Sequence, residues 1–438
     1  MKGLSMRHRL NSADPSFEAG FSLLLNTQRD LRADVRVTVT GILDDVRHHG
    51  DAAVLAYTER FDRQRLSPEA IRVPEADIES ALSQCSVEAL AALHMAADRI
   101  EDFHRRQIPE PIAYTDALGV RLGARWTPID SVGVYVPGGA ASYPSSVLMN
   151  ALPARAAGVH RIAMVVPTPD GCLNPLVLAA AQRCGVTEIY RVGGAQAIGA
   201  LAFGTTAIPA VDKIVGPGNA YVAEAKRQVF GTVGIDVIAG PSEILVVADN
   251  LNDPHWIAAD LMSQAEHDTA AQAILITDTP EFADRVIAAV ESLLTTLPRS
   301  GIAARSWRSH GAVIVTPSFD DAPPIIDRIA PEHLELAVAD PQPLADRVRH
   351  AGAIFLGRHT PEAIGDYVAG PNHVLPTART ARYASGLGVL DFLKRTSLVG
   401  CDAAGLAAIG PAAVTLARAE GLEAHARSVA IRLTSAPS

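Results

Sequence analysis

The residues best suited to chemistry lie in the second half of this 438-residue chain. They are Gln264 and His267, the adjacent pair Glu332-His333, Asp366, His373, and Glu420 with His425. A neutral imidazole binds a divalent ion through a ring nitrogen, and carboxylate or amide oxygens complete a site of intermediate hardness. Gln264, His267, Asp366 and His425 would together offer two nitrogens and two oxygens. Zinc suits that set, and manganese or cobalt would also fit. Because a neutral amide is a weak ligand, substrate atoms would help fill the shell. The competing reading is that each histidine is structural, and His310 and His359 have no neighbours in sequence that argue otherwise. Glu332-His333 follows Pro331 and puts a carboxylate beside an imidazole whose ordinary pKa of ~6.5 suits proton transfer near neutrality. A Glu332 that only caps a helix end by binding backbone amides remains the alternative.

These groups need rigid elements to hold them. Asp253 as N-cap and Pro254 at the first helical position predict a helix that closes on Gln264 and His267. Residues three apart on a helix share a face, so the two side chains can grip one ion or ligand. Glu332-His333 falls at a predicted helix-to-strand junction. Asp366 precedes Gly370-Pro371-Asn372-His373, a stretch that favours a turn and would fix an acid and a histidine on a stiff loop.

Residues 1–130 read as mostly helical. From Ser131 short β-rich runs alternate with helical segments. The first series of strands is Val132–Val136, Arg161–Val166, Glu188–Val192 and Asp212–Val215. The second is Glu243–Ala248, Gln272–Thr277, Gly311–Thr316, Leu334–Val338 and Gly352–Leu356. Such alternation implies parallel sheets covered by helices. The break at Ala239-Gly240-Pro241 separates the series. The expected organisation is an N-terminal arm over 1–30, an α/β domain over 131–242, and a discontinuous α/β domain of 31–130 with 243–385. A C-terminal helical tail over 386–438 follows, interrupted by Gly421.

Glycine and proline cluster after the first series of strands, in Pro137-Gly138-Gly139, Gly193-Gly194, Gly216-Pro217-Gly218 and Gly240-Pro241. In open parallel sheets the carboxyl edge is where ligands bind, since amides and helix N-termini converge there. Tyr135, Gln196, Asn219 and Ser242 accompany these turns and would complete a nucleotide crevice. Glycine-rich strand-to-helix turns are also ordinary in α/β folds. The Gly-x-Gly-x-x-Gly fingerprint is missing; Gly386-Leu387-Gly388 comes nearest, with Asp391 in place of the third glycine.

Composition narrows the classes. A hydrophobic fraction of 48% and a charged fraction of 20% describe a globular protein with ample core. A formal net charge of −10 argues against nucleic-acid or anionic-membrane partners, which need a basic face. No apolar run approaches the ~20 residues that span a bilayer. Cys85, Cys172, Cys184 and Cys401 have no metal-finger or redox spacing, so a reduced, cytoplasmic protein is expected. A zinc hydrolase would share the metal and acid–base groups but has no use for the crevice, and a non-catalytic metal-binding or assembly protein of the same fold would bind metal without turnover.

Taken together, the segments resemble the histidinol dehydrogenase family from about Val35 to Ile431. The blocks that carry the likeness are Val134–Ala151, Gly193–Thr205, Val211–Val229, Ile235–Asp268, Ala330–Leu336 and Gly365–Thr377. The resemblance implies two incomplete Rossmann-like domains and a zinc-containing homodimer. It also implies oxidation of L-histidinol to L-histidine through an aldehyde with two NAD molecules reduced, at the end of histidine biosynthesis. It assigns Gln264, His267, Asp366 and His425 to zinc, and Glu332 and His333 to catalysis. Ser242, Gln264, His267, Glu332, His333, Asp366, Glu420 and His425 match substrate-contacting positions, with Glu420 and His425 coming from the partner subunit. Tyr135, Gln196 and Asn219 match NAD-contacting positions.

Overall fold

The computed structural model describes residues 8–26, 33–138, 143–186, 188–238 and 240–434. Gly139 of the first glycine turn and Ala239 lie outside them. Strand β1 (His8–Asn11) comes first, then β2 (Ile112–Thr115) and β3 (Arg121–Pro128). The first β-α series holds β4 (Ser131–Tyr135), β5 (Arg161–Val165), β6 (Glu188–Tyr190), β7 (Lys213–Val215) and β8 (Gly234–Ile235). The second holds β9 (Glu243–Ala248), β10 (Gln272–Thr277), β11 (Ala312–Val315), β12 (His333–Ala337) and β13 (Ala353–Leu356), and β14 (Leu393–Gly400) follows. All nine strands expected from the sequence are present within two residues of their expected ends.

Two parallel sheets result. One is ordered β6-β5-β4-β7-β8 and the other β1-β11-β10-β9-β12-β13. Counted within its own series, each runs 3-2-1-4-5, the doubly wound order lacking its sixth strand. The fold is therefore α/β, built on two incomplete Rossmann-like sheets with helical segments at both ends. Strands β9, β10 and β12 are buried along their whole length, as expected of parallel strands covered on both faces.

Three features differ from the sequence reading. The segment 8–26, expected as part of an N-terminal arm, belongs to the second sheet: β1 pairs with β11 in register His8↔Ala312, and Phe17, Phe21 and Leu24 pack into the core under that sheet. The helices between Ala33 and Arg105 cover the five-stranded sheet rather than completing the six-stranded one. Val39, Leu43, Val46 and Val54 pack against Val165, Ile198 and Leu201, while Leu93, Ala97 and Ile100 pack against Leu148 and Leu152. Residues 1–130 are mostly helical as expected, and β2 and β3 at their end form an antiparallel sheet with β14. That last pairing places a strand in the tail expected to be all helix. β2 and β14 are mostly exposed, β3 is mostly half-buried, and β14 lies far from β3 in sequence, so no local apolar pattern announces them.

The tail ends in two helices, Ala403–Ala419 and Glu423–Thr434, broken at Gly421 with φ +74 as its sequence position required. Of their residues only Gly405, Gly410 and Ala426 are buried. No helix is long and apolar enough to cross a membrane, among the described residues.

Candidate active site

A cavity of about 270 Å³ lies where opposite edges of the two parallel sheets meet. The five-stranded sheet presents its carboxyl edge: Pro137 follows β4, and Gly216, Pro217 and Gly218 follow β7. Strands β4 and β7 flank the point where strand order reverses, the usual ligand position in such sheets. The six-stranded sheet presents its amino edge instead: Ser242 precedes β9, Glu332 precedes β12 and His333 begins it. Gln264, His267, Asp366 and His373 line the same cavity.

Helix Pro254–Ala265 connects the parallel strands β9 and β10, so its C-terminal end returns to the amino edge. Its expected start is as built: Asp253 accepts from the amide of His255 and Pro254 follows. Gln264 is buried in the last turn, and His267, just past the helix end, stays close because its amide donates to the Gln264 carbonyl at 3.2 Å. Asp366 lies not on a turn but in the short helix Glu362–Tyr367. His373 occupies the following loop, and its Nδ1 is 3.0 Å from the Asp366 carbonyl oxygen.

His333 is 4% exposed, and its two nitrogens have different surroundings. Nδ1 lies 2.9 Å from the carbonyl oxygen of Glu243 and 2.9 Å from the side-chain nitrogen of Gln264. Nε2 has no hydrogen-bond partner and sits 3.6 Å from Glu362 Oε1 and 4.0 Å from Asp366 Oδ1. Burial holds the His333 pKa below its ordinary value, against the attraction of Asp366. Burial raises Glu332 well above the carboxylate range, opposed by the Glu243 amide that donates to its Oε2 at 2.9 Å. Glu332 therefore does bind a backbone amide, but that of a neighbouring strand, and its Oε2 is 3.6 Å from His333 Nδ1.

Glu362 escaped the sequence reading. It stands four residues before Asp366, a spacing that places both on one helix face, and it is 3% exposed. Burial first, and then repulsion from Asp366, raises its pKa; Glu335 behind it is raised by burial and by Asp260. So many buried carboxyls cannot all ionise without a cation. His333, Glu362 and Asp366 offer ligand atoms within 4.8 Å of one another, and the Nε2 atoms of His333 and His373 and Oε1 of Glu362 are buried without partners. Nitrogen and oxygen donors of this kind suit a divalent ion; of the ligands expected from the sequence, Asp366 belongs to this cluster, and Gln264 and His267 line the cavity beside it.

The remaining expected residues fall elsewhere. Tyr135 is 4% exposed, its hydroxyl accepts from the Gly194 amide at 3.1 Å, and burial pushes its pKa up to about 12. Gln196 is 1% exposed, with Oε1 unpaired. Asn219 is exposed and caps the helix Ala220–Val229 by accepting from the amides of Tyr221 and Val222. All three lie at the carboxyl edge of the five-stranded sheet but not in the cavity lining. Glu420 and His425 are exposed where the two tail helices meet and do not line this chain's cavity. Gly388 leads into an antiparallel strand, so the near-match at Gly386-Leu387-Gly388 opens no nucleotide loop.

A family model described as histidinol dehydrogenase matches residues 25–433. The chain belongs to the histidinol dehydrogenase family. By that membership it is an oxidoreductase. It is 64% identical to the histidinol dehydrogenase of Rhodospirillum rubrum over 426 residues, covering 97% of this chain and 98% of that one. It is 63% identical to that of Rhizobium meliloti over 428 residues, covering 98% and 99%. Its fold matches the crystal structure of histidinol dehydrogenase from Elizabethkingia anophelis with a TM-score of 0.92 at 37% identity, covering 97% and 98%. Five of the six blocks that carry the resemblance contribute residues to the cavity lining, and Gly193–Thr205 lies outside it.

Proposed function

We propose that this chain oxidises L-histidinol to L-histidine in the cavity between its two parallel sheets, using two molecules of NAD in succession. The carrying observation is the buried His333, with one nitrogen engaged and the other unpaired and facing Asp366 and Glu362, on the wall opposite a nucleotide-type sheet edge.

In the first step the carbinol loses its hydroxyl proton and a hydride, giving the aldehyde, NADH and one proton. With its Nδ1 proton on the Glu243 carbonyl, His333 is left with a lone pair on Nε2 to take the hydroxyl proton. Burial keeps the ring neutral and ready. General-base help of this kind is worth roughly 10²–10⁴-fold. The aldehyde then adds water, and the diol yields a second hydride to a fresh NAD and releases a proton, giving the carboxylic acid and a second NADH. Glu332, whose pKa burial raises, lies beside His333 and is placed to handle the water's proton.

Zinc would be held by Gln264, His267 and Asp366 with His425 of the partner subunit, and when bound it would supply a template that orients the substrate. Ser242 and the partner subunit's Glu420 complete the proposed substrate contacts. Tyr135, Gln196 and Asn219 serve the cofactor, Asn219 directly and the other two from beneath the edge. A homodimer is supported by the poorly buried tail, whose Leu416, Leu422 and Ile431 are 64%, 44% and 59% exposed. The four cysteines are free, which accords with a reduced, cytoplasmic setting.

The test is spectrophotometric: purified protein with L-histidinol and NAD, with and without a chelator. Two NADH formed per histidinol, lost on chelation and restored by zinc, is the expected result. No NADH from the zinc-loaded protein would overturn the reading.

A further inference from the structure

Beneath the turn Gly216-Pro217-Gly218 lies an ion pair that the reaction above does not use. Lys226, on the helix Ala220–Val229, and Asp236, just after β8, pair directly, with side chains 3% and 2% exposed. Both border the cavity. The Lys226 ammonium also donates to the carbonyl of Gly216 at 3.0 Å and to that of Val237 at 3.4 Å. Asp236 Oδ2 accepts from the amide of Gly216 at 2.8 Å.

An ammonium has three donors, and here all three are committed inside the protein. None is left for a phosphate, so this lysine is not an anion-binding group despite its place under a nucleotide-type turn. The pair instead holds both backbone groups of one residue, Gly216. That residue has no freedom of its own: its φ is +114, and a Cβ would stand 2.1 Å from the Tyr135 carbonyl oxygen. The other anchors are Asp236 and Val237, which lead within a few residues to Ser242 and Glu243. Two charges in a nearly dry place gain little stability over apolar side chains of similar size, but removing one leaves the other stranded.

We infer that Lys226 and Asp236 are positioning residues that hold the Gly216-Pro217-Gly218 turn in register with Asp236 and Val237, so that the cofactor and substrate walls meet at a fixed spacing. The inference rests on the reading that NAD lies against that turn. A displacement of the turn moves the cofactor relative to the carbinol without touching the groups that hold metal or accept protons.

Lys226→Met, Lys226→Arg and Asp236→Asn test it in the full-length zinc-loaded protein. For Lys226→Met the apparent KM for NAD rises about tenfold or more, since sub-ångström misplacement is costly. The KM for histidinol and the zinc content stay within about twofold of wild type, and Lys226→Arg, which keeps the charge and the donors, recovers most of the loss. An unchanged KM for NAD overturns the inference, as does a parallel fall in zinc content, histidinol affinity and thermal stability. If Lys226→Met does not fold, Asp236→Asn is judged by the same criteria, because Asn keeps an acceptor for the Gly216 amide and loses only the charge. Titration of each variant with NADH, followed by its fluorescence, reads the same displacement without turnover. A wild-type protein that binds NADH but does not oxidise histidinol would therefore sink the proposed function and leave this inference standing.

Discussion

His333 Nδ1 lies 2.9 Å from the Glu243 carbonyl oxygen, and this contact decides which ring nitrogen is free for the proposed role as base. A carbonyl only accepts, so the proton belongs on Nδ1. The Gln264 side-chain nitrogen lies at the same distance from Nδ1 and also donates to that carbonyl oxygen at 3.5 Å, so ring and amide converge on one acceptor. Nε2 then carries the lone pair, with no partner in the chain. Because Glu243 begins β9 and His333 begins β12, neighbouring strands in register His333↔Ile244, the backbone itself orients the ring.

Replacing His333 by Asn removes the base while leaving Gln264, His267 and Asp366 in place. Turnover should fall by roughly 10²–10⁴-fold for both histidinol and the aldehyde. Zinc content, measured by atomic absorption, should be unchanged. Near-normal turnover at neutral pH would remove His333 from the proton-transfer role.

The two strand series were legible because buried parallel strands are short runs of β-branched residues between turn residues, and that pattern survives in one dimension. The grouping of helices was not. An amphipathic helix shows that it covers something, yet Val39 and Leu93 do not name the sheet they cover. Strands β3 and β14 were hidden for a related reason: Trp126 pairs with Arg395, a contact that exists only once the chain is folded. At the site, the Asp253-Pro254 start and the Glu332-His333 junction were readable from local chemistry. The sheet-edge rule located the turns after β4 and β7, but it gives no hint that the acid–base residues sit at the amino edge of the other sheet. Glu362 had a signal in its spacing to Asp366. Lys226 had none, since only burial separates it from any surface lysine.

Glu332→Gln keeps the shape and an acceptor for the Glu243 amide but removes the exchangeable proton. Only the aldehyde step consumes water, so that step should slow by about 10²-fold while alcohol oxidation changes less. The comparison is made by starting separately from histidinol and from the aldehyde in single-turnover experiments. Equal losses from both starting points would end the division of labour between Glu332 and His333.

Acid should destabilise the protein through buried histidines, and His104 isolates the effect away from the cavity's metal-capable groups. It is fully buried, with Nδ1 2.7 Å from the Ile100 carbonyl oxygen, and burial lowers its pKa against the pull of its backbone partners. The unfolded chain takes up this proton near its ordinary pKa of ~6.5, whereas the folded protein resists until lower pH. Stability linked to His104 is therefore complete above ~6.5, falls as pH drops, and levels off below the folded value. His104→Gln should flatten that part of the decline in denaturation midpoint between about pH 7 and about pH 5. A decline as steep as wild type would show that His104 does not contribute to it.

The exposed positions of Glu420 and His425 make a different demand. If His425 completes a site on another subunit, Asp366→Asn and His425→Ala should each lose zinc and activity when expressed alone. Co-expressed, they should recover activity. In the mixed dimer one site combines the intact Asp366 of the His425→Ala chain with the intact His425 of the Asp366→Asn chain, while the other site carries both defects. A metal site formed within one chain allows no such rescue, because every chain then keeps its own lesion. Activity after co-expression, with zinc counted in the purified mixed dimer, separates the two arrangements, and no recovery would place His425 outside a shared site.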